Sequence, residues 1–264
     1  MATQAPRDDP TLLRRDPGLW LLLHLRPLGD GKGDRSGSCS VCGAKTRFVR
    51  NSWVIPRNLA RVAPPGLADR ESLFCTYCGS SLRVRGFADA LLATYADEAR
   101  SIADLVQEEG FRRLEIAEIN SIGRMHPLLE PLPHLTYVEY PEQDLQALSY
   151  PDASFDLLLT SETLEHVPDF RRALLETRRV LRDGGRHIFT VPVDPRLERT
   201  RSREGLEPIH HGRGGGPFSI VTRRNDMLAY TDFGRDVPEL LREAGFETEV
   251  HGTGVETVFC ATAR

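Results

Sequence analysis

Lysine is almost missing from this chain: of its 34 basic residues only Lys32 and Lys45 are lysines, and the remainder are arginines. Codon usage in a GC-rich genome accounts for that without any functional demand. An excess of one charge is missing too. The 38 acidic residues leave a net charge of −4, too mild to imply a polyanionic partner for the whole molecule. No apolar run approaches the roughly 18–20 residues of a membrane-spanning helix. The longest candidate, Leu19–Leu25, carries His24 within it and Arg26 after it, where a signal peptide would place small residues. Five cysteines are too few for a disulfide scaffold, and four of them have a better use. These absences predict a cytoplasmic protein with no membrane partner.

What remains is ordinary globular composition, 40% hydrophobic and 27% charged, enough for a sizeable core. A chain of 264 residues has room for one α/β domain of roughly 150–200 residues and something small beside it.

The most informative stretch runs from Ser154 to Pro192. A short apolar strand, Phe155–Thr160, stops in the polar residues Ser161 and Glu162. An amphipathic helix follows over Pro168–Leu181, then Gly184-Gly185, then a second strand, Arg186–Pro192. Strand, crossover helix and strand make a right-handed βαβ unit with both sheet faces covered. Thr160-Ser161-Glu162 then falls at a strand's carboxyl end, where open α/β sheets bind ligands.

Cys39-Ser-Val-Cys42-Gly43 and Cys75-Thr-Tyr-Cys78-Gly79 are two C-x-x-C-G units separated by 32 residues. Each puts two thiolates on one tight turn, and together they offer four soft ligands to a tetrahedral ion. The spacing predicts a structural zinc ribbon with a long insert. A redox pair would not need to occur twice, and no βαβ pattern surrounds either copy. Four thiolates leave no open coordination position, which excludes a catalytic role for the ion. Cys260 sits in a terminal apolar strand and reads as core. Between Cys39 and Arg85 lie eight cations (Lys45, Arg47, Arg50, Arg57, Arg61, Arg70, Arg83 and Arg85). They read as a solvated surface of a small module, with a phosphate-binding patch as the alternative.

The organisation expected is an N-terminal helix and linker over 1–38, the ribbon over 39–86 and the α/β domain over 87–264. Leu12–Leu25 supplies the helix and the Gly/Asp/Ser-rich 29–38 the linker. Apolar residues at Phe87, Leu91, Tyr95, Ile102 and Val106 predict one bridging helix from Phe87 to Glu109, ended by Gly110. The Arg- and Gly-rich 196–224 reads as a long loop, of the kind that is functional or mobile.

The Ser154–Pro192 stretch resembles the "FD-hydrophobic-LEHV-…-RVL-GG-…-VP" pattern of class I S-adenosylmethionine-dependent methyltransferases of the type 11-like group. The resemblance covers roughly 111–264, ending in a helix and hairpin (Asp236–Ala244, Glu247–His251, 255–261) like that family's last elements. Arg70–Arg85 similarly resembles the lead-in of certain bacterial methyltransferases with an amino-terminal cysteine knuckle. The implied fold is a Rossmann-like, mostly parallel sheet with a closing antiparallel hairpin, joined to the zinc ribbon.

The resemblance also implies a cofactor, S-adenosylmethionine, and its site. The first strand, Arg113–Glu118, leads into a loop that keeps one glycine, Gly123, where the family has G-x-G-x-G; Glu115 matches the family's acid. Glu118, Asn120 and Gly123 belong to that loop. After the second strand, Glu139 and Tyr140 occupy the ribose position and Asp144-Leu145 the adenine position. Ser161, Glu162 and His166 face the methionine end. For the acceptor, His210, His211, Asp194 and His166 are the candidate bases. The expected reaction is methyl transfer to a small molecule, such as a sugar or nucleotide-linked sugar. RNA methylation through the basic ribbon is the second reading, and a non-catalytic binding protein with an altered loop the third. The sequence leaves the oligomeric state open.

Overall fold

The computed structural model describes residues 35–50, 67–205, 228–252 and 257–264. The expected N-terminal helix, Leu12–Leu25, lies outside them. The first layer is a three-stranded antiparallel ribbon: β1 (Arg35–Ser38), β2 (Lys45–Arg50) and β3 (Leu73–Cys75), in which Phe48 pairs with both Arg35 and Cys75. The segment expected as linker therefore ends in a strand, and the ribbon begins before Cys39. A short helix, α1 (Leu67–Ser72), precedes β3.

Helix α2 (Leu82–Tyr95) starts inside the expected ribbon and crosses the boundary predicted at residue 86. Ser81 caps it by accepting from Val84 N–H. The single helix expected over 87–109 is three pieces, α2, α3 (Ile102–Leu105) and α4 (Glu109–Arg112). Two local devices break it. Ser101 caps α3 by accepting from Asp104 N–H, and the Glu108 carboxylate accepts from the N–H groups of Asp97, Glu98 and Ala99. Gly110 lies within α4 and ends nothing.

The main sheet has six strands in the order β10-β11-β7-β6-β4-β5. Its members are β4 (Ile116–Ile119), β5 (Leu135–Val138), β6 (Phe155–Ser161), β7 (Leu181–Thr190), β10 (Phe246–His251) and β11 (Val258–Ala263). The β5-β4-β6-β7 pairs are parallel, while β7-β11 and β11-β10 are antiparallel. This is the Rossmann-like, mostly parallel sheet with a closing hairpin. Between them lie α5 (His126–Leu129), α6 (Phe170–Val180) and α7 (Val237–Glu243); β8 (Arg201–Ser202) and β9 (Thr231–Asp232) form a separate antiparallel pair.

Side chains alternate across the sheet. Leu157, Leu159, Ile188 and Cys260 pack under α2 and α3, while Leu158, Phe189, Phe259 and Ala261 pack under α6 and α7. The first of these clusters also contains Cys39, Val41, Cys75 and Cys78. The cysteine turns are thus part of the core on one sheet face, not a module on a tether. Backbone bonds reinforce this, with Ile102 N–H donating to Ser40 O at 2.7 Å and Ala103 N–H to Val41 O at 3.1 Å.

Candidate functional site

The two cysteine turns fold as near copies. Gly43 N–H donates to Cys39 O at 2.8 Å and Gly79 N–H to Cys75 O at 2.9 Å. Both glycines have φ of +74°, a conformation a side chain would strain. The four Sγ atoms lie within 4.8 Å of one another, at 3.8 Å for Cys39–Cys78 and 4.0 Å for Cys42–Cys75. A tetrahedral zinc ion with bonds of about 2.3 Å separates its sulfurs by about 3.8 Å, so this donor set fits such an ion. Arg85 braces the centre. Its Nη1 donates to Leu73 O and Ser80 O, and its guanidinium lies 4.2 Å from the Phe48 ring centre.

The parallel strands β4, β5 and β6 end side by side. At the tip of β4 the acid is Glu118, fully buried, accepting from Ile122 N–H at 2.9 Å and facing His126 Nδ1 at 2.7 Å. The hydrogen bond to Glu118 is the largest of the effects that raise the His126 pKa above its ordinary value. Glu115 is not at that tip. It precedes β4, half-exposed, beside His134 at 3.3 Å, because the strand runs on to Ile119. The loop that follows is shaped by Asn120 (φ +60°) and Gly123 (φ +62°). Its bulky side chain, Ile122, is buried in the core with Met125 and Leu129, so the loop presents Asn120 and exposed Ser121 outward.

Asn120 Oδ1 accepts from Tyr140 N–H at 3.2 Å, tying the tips of β4 and β5 together. Tyr140 is 59% exposed and Glu139 is also exposed, its carboxylate bonded to the Tyr137 hydroxyl. Asp144 accepts from Gln146 N–H at 2.9 Å in a turn whose next residue, Leu145, is buried. The connection from Tyr140 to Ser154 has no helix; Arg179 of α6 holds it through Leu148 O and Tyr150 O.

At the tip of β6, Ser161 Oγ lies 2.9 Å from Thr190 Oγ1, and Glu162 has φ of +51°. Two arginines from the ribbon side meet these residues. Arg70 of α1 donates to both Glu162 oxygens, at 2.7 and 3.2 Å. Arg83 of α2 donates from Nη1 to Ser161 Oγ at 2.5 Å and from Nε to Glu71 at 2.6 Å. Below them Glu165 is fully buried, and neither of its oxygens has a hydrogen-bond partner among the described residues. Burial, then the charge of Glu162, pushes its carboxyl well above the usual carboxylate range.

The two candidate bases among the described residues, His166 and Asp194, are each engaged by other groups. His166 points Nδ1 at Leu228 O, 3.0 Å away, and burial lowers its pKa below the usual imidazole range. Asp194 is locked to Arg196 Nη2 at 2.6 Å, which holds its carboxyl below the usual range and makes it a poor base. His210 and His211 lie outside the described residues. Part of the expected loop has structure: Arg201–Ser202 pairs with Thr231–Asp232, and Arg201 and Arg203 both engage Asp232.

Residues 119–189 match the methyltransferase-domain family model. The match opens on the last residue of β4 and closes on β7, so it spans the loop, β5, β6 and α6. This segment is similar to a methyltransferase domain. Among curated proteins, the methyltransferase domain resembles 27-O-demethylrifamycin SV methyltransferase of Amycolatopsis mediterranei, 45% identical over 110 residues, 40% of this chain and 34% of that one. It also resembles the ubiquinone/menaquinone biosynthesis C-methyltransferases of Enterobacter sp. (30% over 95 residues, 35% and 33% of the chains) and Cronobacter sakazakii (29% over 140, 50% and 49%). The chain thus spans between a third and a half of the length of these relatives. A solved structure it resembles is the Burkholderia thailandensis 1,6-didemethyltoxoflavin-N1-methyltransferase, at 18% identity and a TM-score of 0.41 over 69% of this chain and 77% of that one.

Three residues of this site were not singled out by sequence reasoning. By sequence Arg70 and Arg83 read as solvated cations, yet Arg70 and Arg85 are buried and Arg83 half-buried. Their only signal was the resemblance of the Arg70–Arg85 string to a methyltransferase lead-in. Glu165 stood inside a quoted motif with no role given to it.

Proposed function

We propose that the methyltransferase domain transfers a methyl group from S-adenosylmethionine to a small-molecule acceptor, with the cofactor lying across the carboxyl ends of β4, β5 and β6. The observation that carries this reading is the convergence of Glu139, Asp144 and the outward face of Asn120–Ser121 at those ends, within the 119–189 match. When bound, the cofactor supplies a sulfonium methyl to a nucleophile arriving in line, so the nucleophile–carbon bond forms as the carbon–sulfur bond breaks. The protein's share is alignment and exclusion of water. Glu139 is placed to accept from the two ribose hydroxyls, as carboxylates do. Asp144 accepts from the adenine amino group and Leu145 backs the ring. Ser161 and Glu162 flank the methionine end. Gly123 allows the loop's turn, and Glu118 holds that turn from below rather than touching cofactor.

A small-molecule acceptor is favoured by the relatives, a 27-O-demethylrifamycin SV methyltransferase and the ubiquinone/menaquinone biosynthesis C-methyltransferases. A sugar or nucleotide-linked sugar is one member of that class. The RNA reading keeps the exposed Lys45, Arg47 and Arg50 but not Arg70, Arg83 and Arg85, which turn inward. The non-catalytic reading rests on the altered glycine loop, whose Glu118 and Ile122 side chains are buried beneath it. The four cysteines hold zinc as a structural ion in this proposal. Titration calorimetry with S-adenosylhomocysteine tests the function: saturable heat at one site is expected, and no heat would return the non-catalytic reading.

A further inference from the structure

Arg70 and Arg83 come from outside the methyltransferase match, yet both side chains end at the tip of β6. Joining the cysteine module to the sheet accounts for their pairs with Glu162 and Glu71. It does not account for what those pairs leave over. Arg70 is 3% exposed and its Nε has no partner among the described residues, an omission that is costly for a buried charged donor. Arg83 spends Nε on Glu71 and Nη1 on Ser161, and Nη2 makes no hydrogen bond among the described residues. The guanidinium groups therefore keep fixed N–H donors at the tip of β6 that have no partner among the described residues.

The charges around them decide what fits. Glu71 and Glu162 each balance one arginine. Glu165, whose carboxyl burial and then Glu162 push well above the usual carboxylate range, lies fully buried below them. A singly charged planar group matches the guanidinium fork. A dianionic phosphate would bring a second charge against the two fixed carboxylates.

We propose that Arg70 and Arg83 form a carboxylate-binding site that the cysteine module contributes to the methyl-transfer crevice. The inference rests on the crevice being a cofactor site, as proposed above. Two sources carry a carboxylate to this position: the amino-acid end of the cofactor, and an acid group on the acceptor.

The test compares S-adenosylhomocysteine with 5′-methylthioadenosine, which keeps the nucleoside and sulfur but lacks the amino-acid group. Affinities are measured on the full chain as wild type, Arg83→Gln and Arg70→Lys. With the cofactor as source, both substitutions weaken S-adenosylhomocysteine about tenfold or more and leave methylthioadenosine within about twofold. The unchanged second affinity also shows that the variants keep an intact crevice. With the acceptor as source, both affinities hold, but benzoate bound to the S-adenosylhomocysteine-saturated protein, followed by saturation-transfer NMR, is lost in Arg83→Gln. Either result supports the site and names its occupant. Equal weakening of both nucleosides, or no change in any of the three, overturns it. If wild type binds neither nucleoside, the crevice reading itself has failed.

Discussion

Arg70 and Glu162, 92 positions apart, form a two-pronged ion pair in which the arginine is 3% and the carboxylate 19% exposed. The pair fixes the entrance of the cysteine module against the tip of β6. Removing the carboxylate strands a buried cation, whereas removing both partners does not. Glu162→Ala is expected to lower unfolding free energy by about 2–4 kcal/mol, discounted slightly for the carboxylate's partial exposure. Arg70→Leu with Glu162→Ala should recover part of that loss. Urea denaturation of the four-member cycle measures the coupling, and additive losses would mean that the pair is incidental.

The cysteine centre shares its core with Leu157, Ile188 and Cys260 of the main sheet. Loss of metal should therefore lower one cooperative transition rather than release the ribbon first. Chelation, or Cys75→Ser, is expected to drop the melting temperature by about 10 °C or more, since structural zinc supplies several kcal/mol and ~1 kcal/mol moves a chain of this size about 2–4 °C. Calorimetry with metal analysis checks it; a melt indifferent to chelator, with no bound zinc, would contradict four-thiolate ligation.

Glu165 has a folded-state pKa raised by burial and by Glu162. Between its unfolded value, about 4.3, and the raised folded value, the native state binds more protons than the unfolded chain. Stability from this group is thus lost as pH rises through that window. Glu165→Gln mimics the protonated carboxyl. Its stability relative to wild type should increase with pH above the unfolded value, as read from unfolding curves across that range. A difference independent of pH would show that Glu165 is ionised in the fold.

Glu139 and Asp144 stand at the ends of the parallel strands, where Glu139 accepts from the Tyr137 hydroxyl and Asp144 from Gln146 N–H. Glu139→Ala and Asp144→Ala should each weaken S-adenosylhomocysteine by about 1–3 kcal/mol, the range for a hydrogen bond to a buried ligand. Unchanged affinity in both variants would put the adenosine elsewhere.

Where periodicity and motif agree, the sequence is legible: Phe155–Ser161, the following helix and the closing hairpin stand within a few residues of expectation, whereas β7 starts at Leu181 rather than Arg186 and takes in the Gly184-Gly185 expected to precede it. The knuckle geometry was legible because C-x-x-C-G allows few turns. The break between α2 and α3 was not, because Glu108 accepts three N–H groups from residues that look helical by pattern alone. The shift from Glu115 to Glu118 came from register: β4 extends to Ile119, and pairing Ile116 with Leu157 places Glu118 against Leu159 near the strand tip. Arg70 and Arg83 were illegible because their partners are distant in sequence and a surface arginine reads the same as a buried one.

The most direct measurement is a crystal structure with S-adenosylhomocysteine. The account predicts its ribose against Glu139, its adenine beside Asp144 and Leu145, and its sulfur over Ser161 and Glu162. Electron density for the nucleoside anywhere else, or a crevice filled by the Asn120–Gly123 loop, would contradict it.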